Sequence, residues 1–110
     1  MDQPERAPAY SDAPIVTLLF LTVGEDGQQE LPAVYHTLTA DLLQQQPELA
    51  LALLARRTEA QSSEQYVIFS QWNRLAAYQQ WESNEQHRAA LRPLTRIVQK
   101  LRPERFVCVG

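Results

Sequence analysis

Between Trp72 and Arg92 the chain gathers the side chains best suited to chemistry: Trp72, Trp81, Tyr78, His87 and Arg92. Arg92 is a permanent cation, while the Trp72 indole N–H and the Tyr78 hydroxyl are hydrogen-bond donors. Groups of this kind stabilise an anion when they are aimed at an atom where negative charge develops. His87 and His36 are the only side chains whose unperturbed pKa lies near neutrality, which makes them candidate bases. Each of these residues also has a structural reading. Tryptophans at the ends of a strand and a helix anchor cores through their large apolar area, and Tyr78 can pack with its hydroxyl at the surface. Arg88, Arg92, Arg96 and Lys100 stand at four-residue spacing, the pattern of a solvated helix face, although Pro93 interrupts it. His36, one position off an apolar stripe, reads as exposed, and His87, in a first helical turn, also reads as a surface residue.

Other constellations offer less. His36 and His87 have no histidine four residues away and no nearby cysteine, so no metal site is expected. Cys108 falls in an apolar strand, where a buried, inert thiol is the default. No serine lies in a nucleophile-elbow sequence, and Glu25-Asp26 reads as turn chemistry.

The elements that must position these groups follow from periodicity. Ile15–Val23 (IVTLLFLTV) is β-branched and aromatic and runs into Gly24-Glu25-Asp26-Gly27, a strand followed by a turn. Leu31, Val34, Tyr35, Leu38 and Leu42 then mark one apolar helix face, which Pro47 stops. Leu49–Arg57 suits a helix by composition but alternates at strand period; Pro47 before it and Gln61-Ser62-Ser63 after it favour a strand opening a hairpin, with Gln65–Trp72 as the second arm. Asn73 is the expected N-cap of a helix carrying Ala77, Tyr78 and Trp81. Ser83 and Gln86 are spaced as a capping box for a further helix. Its stripe would be Leu94, Ile97, Val98 and Leu101, with Pro93 kinking or restarting it. Arg105–Val109 reads as a short last strand. The order β-α-β-β-α-β is the split βαβ, ferredoxin-like α+β arrangement with an antiparallel sheet. Its second and fourth strands lie at the edges and are unusually apolar here, so a homodimer through the sheet edges is expected.

Composition bounds the rest. A chain of 110 residues, 45% hydrophobic, is one domain's worth of core. Residues 15–110 are expected to form that single domain. Met1–Pro14, polar and proline-punctuated without the basic start and apolar run of a signal peptide, is expected to be a flexible arm. The net charge of −3 argues against a nucleic-acid partner. Three glycines leave no Gly-rich phosphate cradle. No apolar run approaches the ~20 residues of a membrane span. A single cysteine excludes an internal disulfide and suits a reducing, cytoplasmic location.

The stretch Tyr66–Leu91 (YVIFSQWNRLAAYQQWESNEQHRAAL) resembles the antibiotic biosynthesis monooxygenase family, small dimeric α+β barrels. The resemblance rests on a third strand ending in Trp72, an aromatic residue, Tyr78, six positions later, and Trp81-Glu82-Ser83 running to His87. From Ile15 to Val109 it is otherwise one of order and spacing. It implies a homodimer with a small-molecule cavity between sheet and helices. The haem-degrading branch uses a first-strand asparagine and a histidine ten residues after the helix tryptophan; here Ile15–Val23 holds no asparagine and Leu91 stands at the histidine's place. The quinone-forming branch, which oxidises aromatic molecules with oxygen and no cofactor, places a tryptophan, a tyrosine and an arginine where Trp72, Tyr78 and Arg92 stand. Its third-strand asparagine is Ile68 here, and its second-strand histidine, which would fall near Thr58, is absent. The resemblance thus implies Trp72, Tyr78 and Arg92 as catalytic residues, with Trp81, His87, Ile68 and Tyr35 contacting the substrate. The alternative is a non-catalytic, ligand-binding homodimer of the same fold.

Overall fold

The computed structural model describes residues 10–59 and 62–110. In chain order the elements are β1 (Ile15–Val23), α1 (Glu25–Gln45), β2 (Leu49–Arg56), β3 (Tyr66–Trp72), α2 (Leu75–Glu82), α3 (Glu85–Ile97) and β4 (Val98–Val107). The four strands form one sheet in the order β2-β3-β1-β4, with every neighbouring pair antiparallel. This is the ferredoxin-like α+β fold, with β2 and β4 at the edges as expected. No helix among the described residues is long and apolar enough to cross a membrane.

Local chemistry explains the element ends, and in several places it differs from the sequence expectation. Glu25, Asp26 and Gly27 form the first turn of α1 instead of a loop. The two acids there complement the positive end of the helix dipole. Gly27 is needed for close packing: a Cβ at this position would lie 2.3 Å from the Ile97 carbonyl oxygen and 2.8 Å from Val23 Cγ1. Asn73 does not cap α2. The N-cap position is Arg74, without a side-chain cap, and the Leu75 and Ala76 N–H groups donate to the Ala13 and Ser11 carbonyls. The orphan donors of the helix start are therefore met by the segment just before β1. That segment, expected to belong to a free arm, is tied to the domain from Ser11 to Pro14; residues 1–9 of the expected arm lie outside the described residues.

Ser83 is not a capping-box residue either. Asn84 caps α3, its side chain accepting from the Gln86 N–H, while Ser83 Oγ donates to the Gln80 carbonyl. Pro93 lies inside an uninterrupted α3. The stripe Leu94-Ile97-Val98-Leu101 is divided between two elements, because Val98 and Leu101 pair with Val23 and Leu21 on β1. Cross-strand pairing with an already buried neighbour thus overrides helical spacing. β4 consequently begins seven residues earlier than Arg105, and Cys108 lies just beyond its end, half-buried, with its N–H donated to the Pro14 carbonyl.

Strand alternation assigns Ile15, Leu19, Leu21, Val23, Leu54, Ile68, Trp72 and Leu101 to the helix-covered, inner face of the sheet. At one end Leu21, Leu31 and Leu94 are fully enclosed in an aliphatic cluster. At the other, Ile15, Leu49, Trp72, Ala77, Tyr78 and Trp81 form an aromatic cluster. The opposite, outer face carries Val16, Leu18 and Phe20 of β1, paired with Gln71, Phe69 and Val67 of β3. On the edge strands Leu51, Leu53 and Phe106 are 45%, 42% and 50% exposed.

Candidate functional site

A cavity of about 250 Å³ opens beside the aromatic cluster, between the inner face of the sheet and the helices. Its size lies just below the usual range of ligand sites, roughly 300–1,000 Å³, which suits a compact ligand. One wall is a run of rings. Trp72, at the end of β3 and 2% exposed, meets Tyr78 edge-on at 5.6 Å and stacks on Trp81 at 6.4 Å; Trp81 in turn meets His87 edge-on at 5.2 Å. Spacings of this kind are favourable aromatic geometries and fix the ring planes. All four residues line the cavity, as do Ile68 and Tyr35. The Tyr35 hydroxyl is buried and has no hydrogen-bond partner among the described residues.

Arg92 is placed elsewhere. It is exposed on α3 and lines a separate shallow depression with His87, Arg88, Leu91 and Thr95. The arginine row Arg88-Arg92-Arg96 is thus a solvated helix face. The cation in the cavity is Arg105 of β4. Its Nε donates to the Tyr78 hydroxyl at 3.1 Å, and its Nη2 is paired with Glu82. The Tyr78 hydroxyl donates to Glu82 Oε2 at 3.0 Å, one helical turn along α2, which closes a three-membered network.

Electrostatics follow from this geometry. Burial pushes the Tyr78 phenol above its ordinary pKa, so it stays protonated and keeps its donor hydrogen. Hydrogen bonds to Glu82 and Tyr78 hold the Arg105 guanidinium firmly charged. Desolvation lowers the His87 pKa, so the imidazole is neutral over a wider pH range than a free histidine. No cluster of metal-ligating side chains occurs among the described residues. A wall of rings, a phenol that stays protonated and a fixed cation can together bind and orient an aromatic ligand and hold negative charge on it.

Sequence reasoning missed Arg105, Glu82 and the floor residues Thr17 and Ser70. A signal was present for the first two, whereas the Thr17–Ser70 pair follows only from strand register. Leu101, Pro103, Arg105 and Val107 alternate, placing Arg105 on the inner face, but only once β4 is known to start at Val98. Glu82 follows Tyr78 by four residues on one helix.

The fold agrees with comparisons to known proteins. A model of the antibiotic biosynthesis monooxygenase family matches residues 14–93. No curated protein matches the chain. Among solved structures, SnoaB, a cofactor-independent oxygenase from Streptomyces nogalater, superposes with a TM-score of 0.70 at 16% identity, over 89% of this chain and 95% of its own. A dimeric protein of unknown function and ferredoxin-like fold from Bacteroides fragilis gives 0.68 at 7%, over 86% and 96%. One from Thermobifida fusca, also dimeric, ferredoxin-like and of unknown function, gives 0.67 at 13%, over 90% and 94%. At these identities the likeness is one of fold, whereas the family model spans most of the sequence, from β1 through β3 and the aromatic run into α3: the chain belongs to the antibiotic biosynthesis monooxygenase family.

Proposed function

We propose that the protein is a cofactor-independent monooxygenase that oxidises a small aromatic or quinol-like molecule with molecular oxygen in this cavity. The observation that carries the reading is the Arg105–Tyr78–Glu82 network at the rim of an aromatic-walled, largely apolar chamber. Triplet oxygen reacts slowly with closed-shell molecules but accepts an electron from an electron-rich anion. The protein's task is therefore to favour that anion. The substrate packs against Trp72 and Trp81, loses a proton, and its anion rests against Arg105 and against Tyr78, whose hydroxyl hydrogen turns to it from Glu82. One electron passes to oxygen and the two radicals combine at carbon; loss of water then leaves a carbonyl where a methylene stood, so that CH₂ plus O₂ gives C=O plus H₂O, or, in a quinol attacked at a ring C–H, quinol plus O₂ gives hydroxyquinone plus H₂O. Neutral His87 and the Glu82 carboxylate are the proton acceptors within the lining. Arg105 takes the role that the resemblance assigned to Arg92. Family membership and the fold shared with a cofactor-independent oxygenase support the reading.

Aerobic incubation with anthrone and with hydroquinone tests it, by oxygen consumption and quinone absorbance. Turnover is expected, with large losses in Trp72→Phe and Arg105→Gln. Unchanged rates in both variants would remove these residues from the chemistry. The second reading, a non-catalytic ligand-binding protein, is favoured by Ile68, an apolar side chain in the lining where the quinone-forming branch has asparagine. Tight binding without oxygen consumption would decide for it.

We further infer a homodimer. The apolar outer face and the edge strands β2 and β4 present Leu51, Leu53 and Phe106 to solvent, and no described helix covers them. A second copy satisfies this face and extends the expected contact from the edges to the face between them. Two structural neighbours are described as dimeric, which supports the inference.

A further inference from the structure

The floor of the cavity departs from the usual pattern of a half-covered sheet. Strand register aligns Arg105 with Thr17, Thr17 with Ser70, and Ser70 with Ala52, one row running across β4, β1, β3 and β2. All four residues line the cavity. The next row, Pro103-Leu19-Ile68-Leu54, is wholly apolar, as is Val107-Ile15-Trp72-Leu49 on the other side. A single polar row is therefore enclosed between two apolar ones, on the face where a sheet ordinarily buries hydrocarbon.

Within the row, Thr17 Oγ1 and Ser70 Oγ lie 2.5 Å apart in a hydrogen bond. That bond uses one hydroxyl hydrogen. The second hydroxyl hydrogen and the remaining lone pairs stay available to a ligand, because each hydroxyl has one donor and two acceptor sites. Ala52, at the end of the row, is small enough to leave space beside them. Neighbouring strands are about 4.8 Å apart, so the hydroxyl pair stands roughly one ring's width from the strand that carries Arg105.

Resting on the functional reading above, we propose that Thr17 and Ser70 determine specificity. Their hydroxyl pair takes the second oxygen of a dioxygenated aromatic ring whose first oxygen lies against Arg105 and Tyr78. The preferred substrates are then quinols, and a ring with a single oxygen leaves the Thr17–Ser70 pair facing hydrocarbon.

The test is an anaerobic titration, so that oxidation cannot consume the ligand, read from the fluorescence of Trp72 and Trp81. The probes are naphthohydroquinone and α-naphthol. The wild-type protein is expected to bind the quinol about tenfold more tightly, the worth of one satisfied hydrogen bond. In the Thr17→Val, Ser70→Ala double variant the preference is expected to vanish, with naphthohydroquinone affinity falling and α-naphthol affinity equal or higher. Replacing both members of a hydrogen-bonded pair by apolar groups of similar shape is nearly neutral for folding, and circular dichroism checks that. A preference that persists in the double variant, or is absent from the wild type, overturns the proposal. If oxygen consumption with hydroquinone continues in that case, only the specificity assignment fails. If neither probe binds and no oxygen is consumed, the functional reading fails with it.

Discussion

Along one row the two faces of the sheet invert the ordinary distribution of polarity, and they do so in adjacent residues. Thr17, Ser70 and Arg105 point under the helices, whereas their chain neighbours Leu18, Phe69 and Phe106 point away from them. A strand's period of two makes this a single decision: whatever sends Arg105 inward sends Phe106 outward. The inner face tolerates polar groups because they border a cavity and bond one another, Arg105 to Tyr78 and Glu82, Thr17 to Ser70. The outer face is apolar along its middle and charged at one end, where the Arg102 guanidinium lies 4.4 Å from the Phe20 ring centroid. Glu64 accepts from Arg102 there at 2.6 and 2.9 Å. Polar groups on a covered face mark a place for a ligand, and apolar groups on an uncovered face mark a place for a partner.

Substitutions aimed at one face should leave the property of the other intact. The largest effect is expected on the outer face. Leu53→Glu with Phe106→Glu places four charges in a two-fold interface and should weaken the dimer by about 4 kcal/mol, roughly a thousandfold in dissociation constant. Sedimentation equilibrium measures this, and an unchanged dimer would put the interface elsewhere. Next comes the closed, aliphatic end of the inner face. Leu21→Ala removes a fully buried side chain from the aliphatic cluster, at a cost of about 2–5 kcal/mol. Denaturant unfolding reads that cost, with probe binding by the folded protein retained.

Arg105→Gln should lower kcat/KM for quinol oxidation by about a hundredfold, as for loss of one group that stabilises developing charge, with little change in unfolding midpoint because the pair is partly solvated. Arg92→Gln, on the solvated face of α3, should retain the wild-type rate. Equal losses from the two arginines would remove the distinction between cavity and surface. The smallest effect concerns pH. The folded-state pKa of His87 lies below that of the unfolded chain, mainly through desolvation. Between the two values the unfolded chain binds more protons, so stability is complete above the ordinary histidine pKa and falls as pH drops through that window. Thermal unfolding between about pH 7 and pH 5 should therefore show a shallower decline for His87→Gln than for the wild type. Parallel declines would mean that His87 is not desolvated.

Most of the site's aromatic half was legible in the sequence, and its charged half was not. Trp72, Tyr78, Trp81 and His87 lie close together in the chain, on β3, α2 and the first turn of α3, so spacing alone brings them near one another. Arg105 joins them from β4, and the sequence placed the start of that strand too late because Leu94, Ile97, Val98 and Leu101 fit a helix as well as they fit a helix running into a strand. Arg92 had the right residue type at a plausible spacing, but it faces solvent. The caps failed for a related reason: α2 is capped by backbone carbonyls of Ser11 and Ala13, which no local motif announces.

By itself, then, the sequence determined the order of elements, the edge positions of β2 and β4, and the aromatic wall, because these depend on period, local propensity and short-range spacing. The tertiary structure decided which cation enters the cavity, that a polar row crosses its floor, and that the apolar surface is a sheet face as well as two edges. Those features depend on the register between strands far apart in the chain. Register is fixed by the sum of pairings across the whole sheet, and a shift of one residue would exchange Arg105 for Phe106.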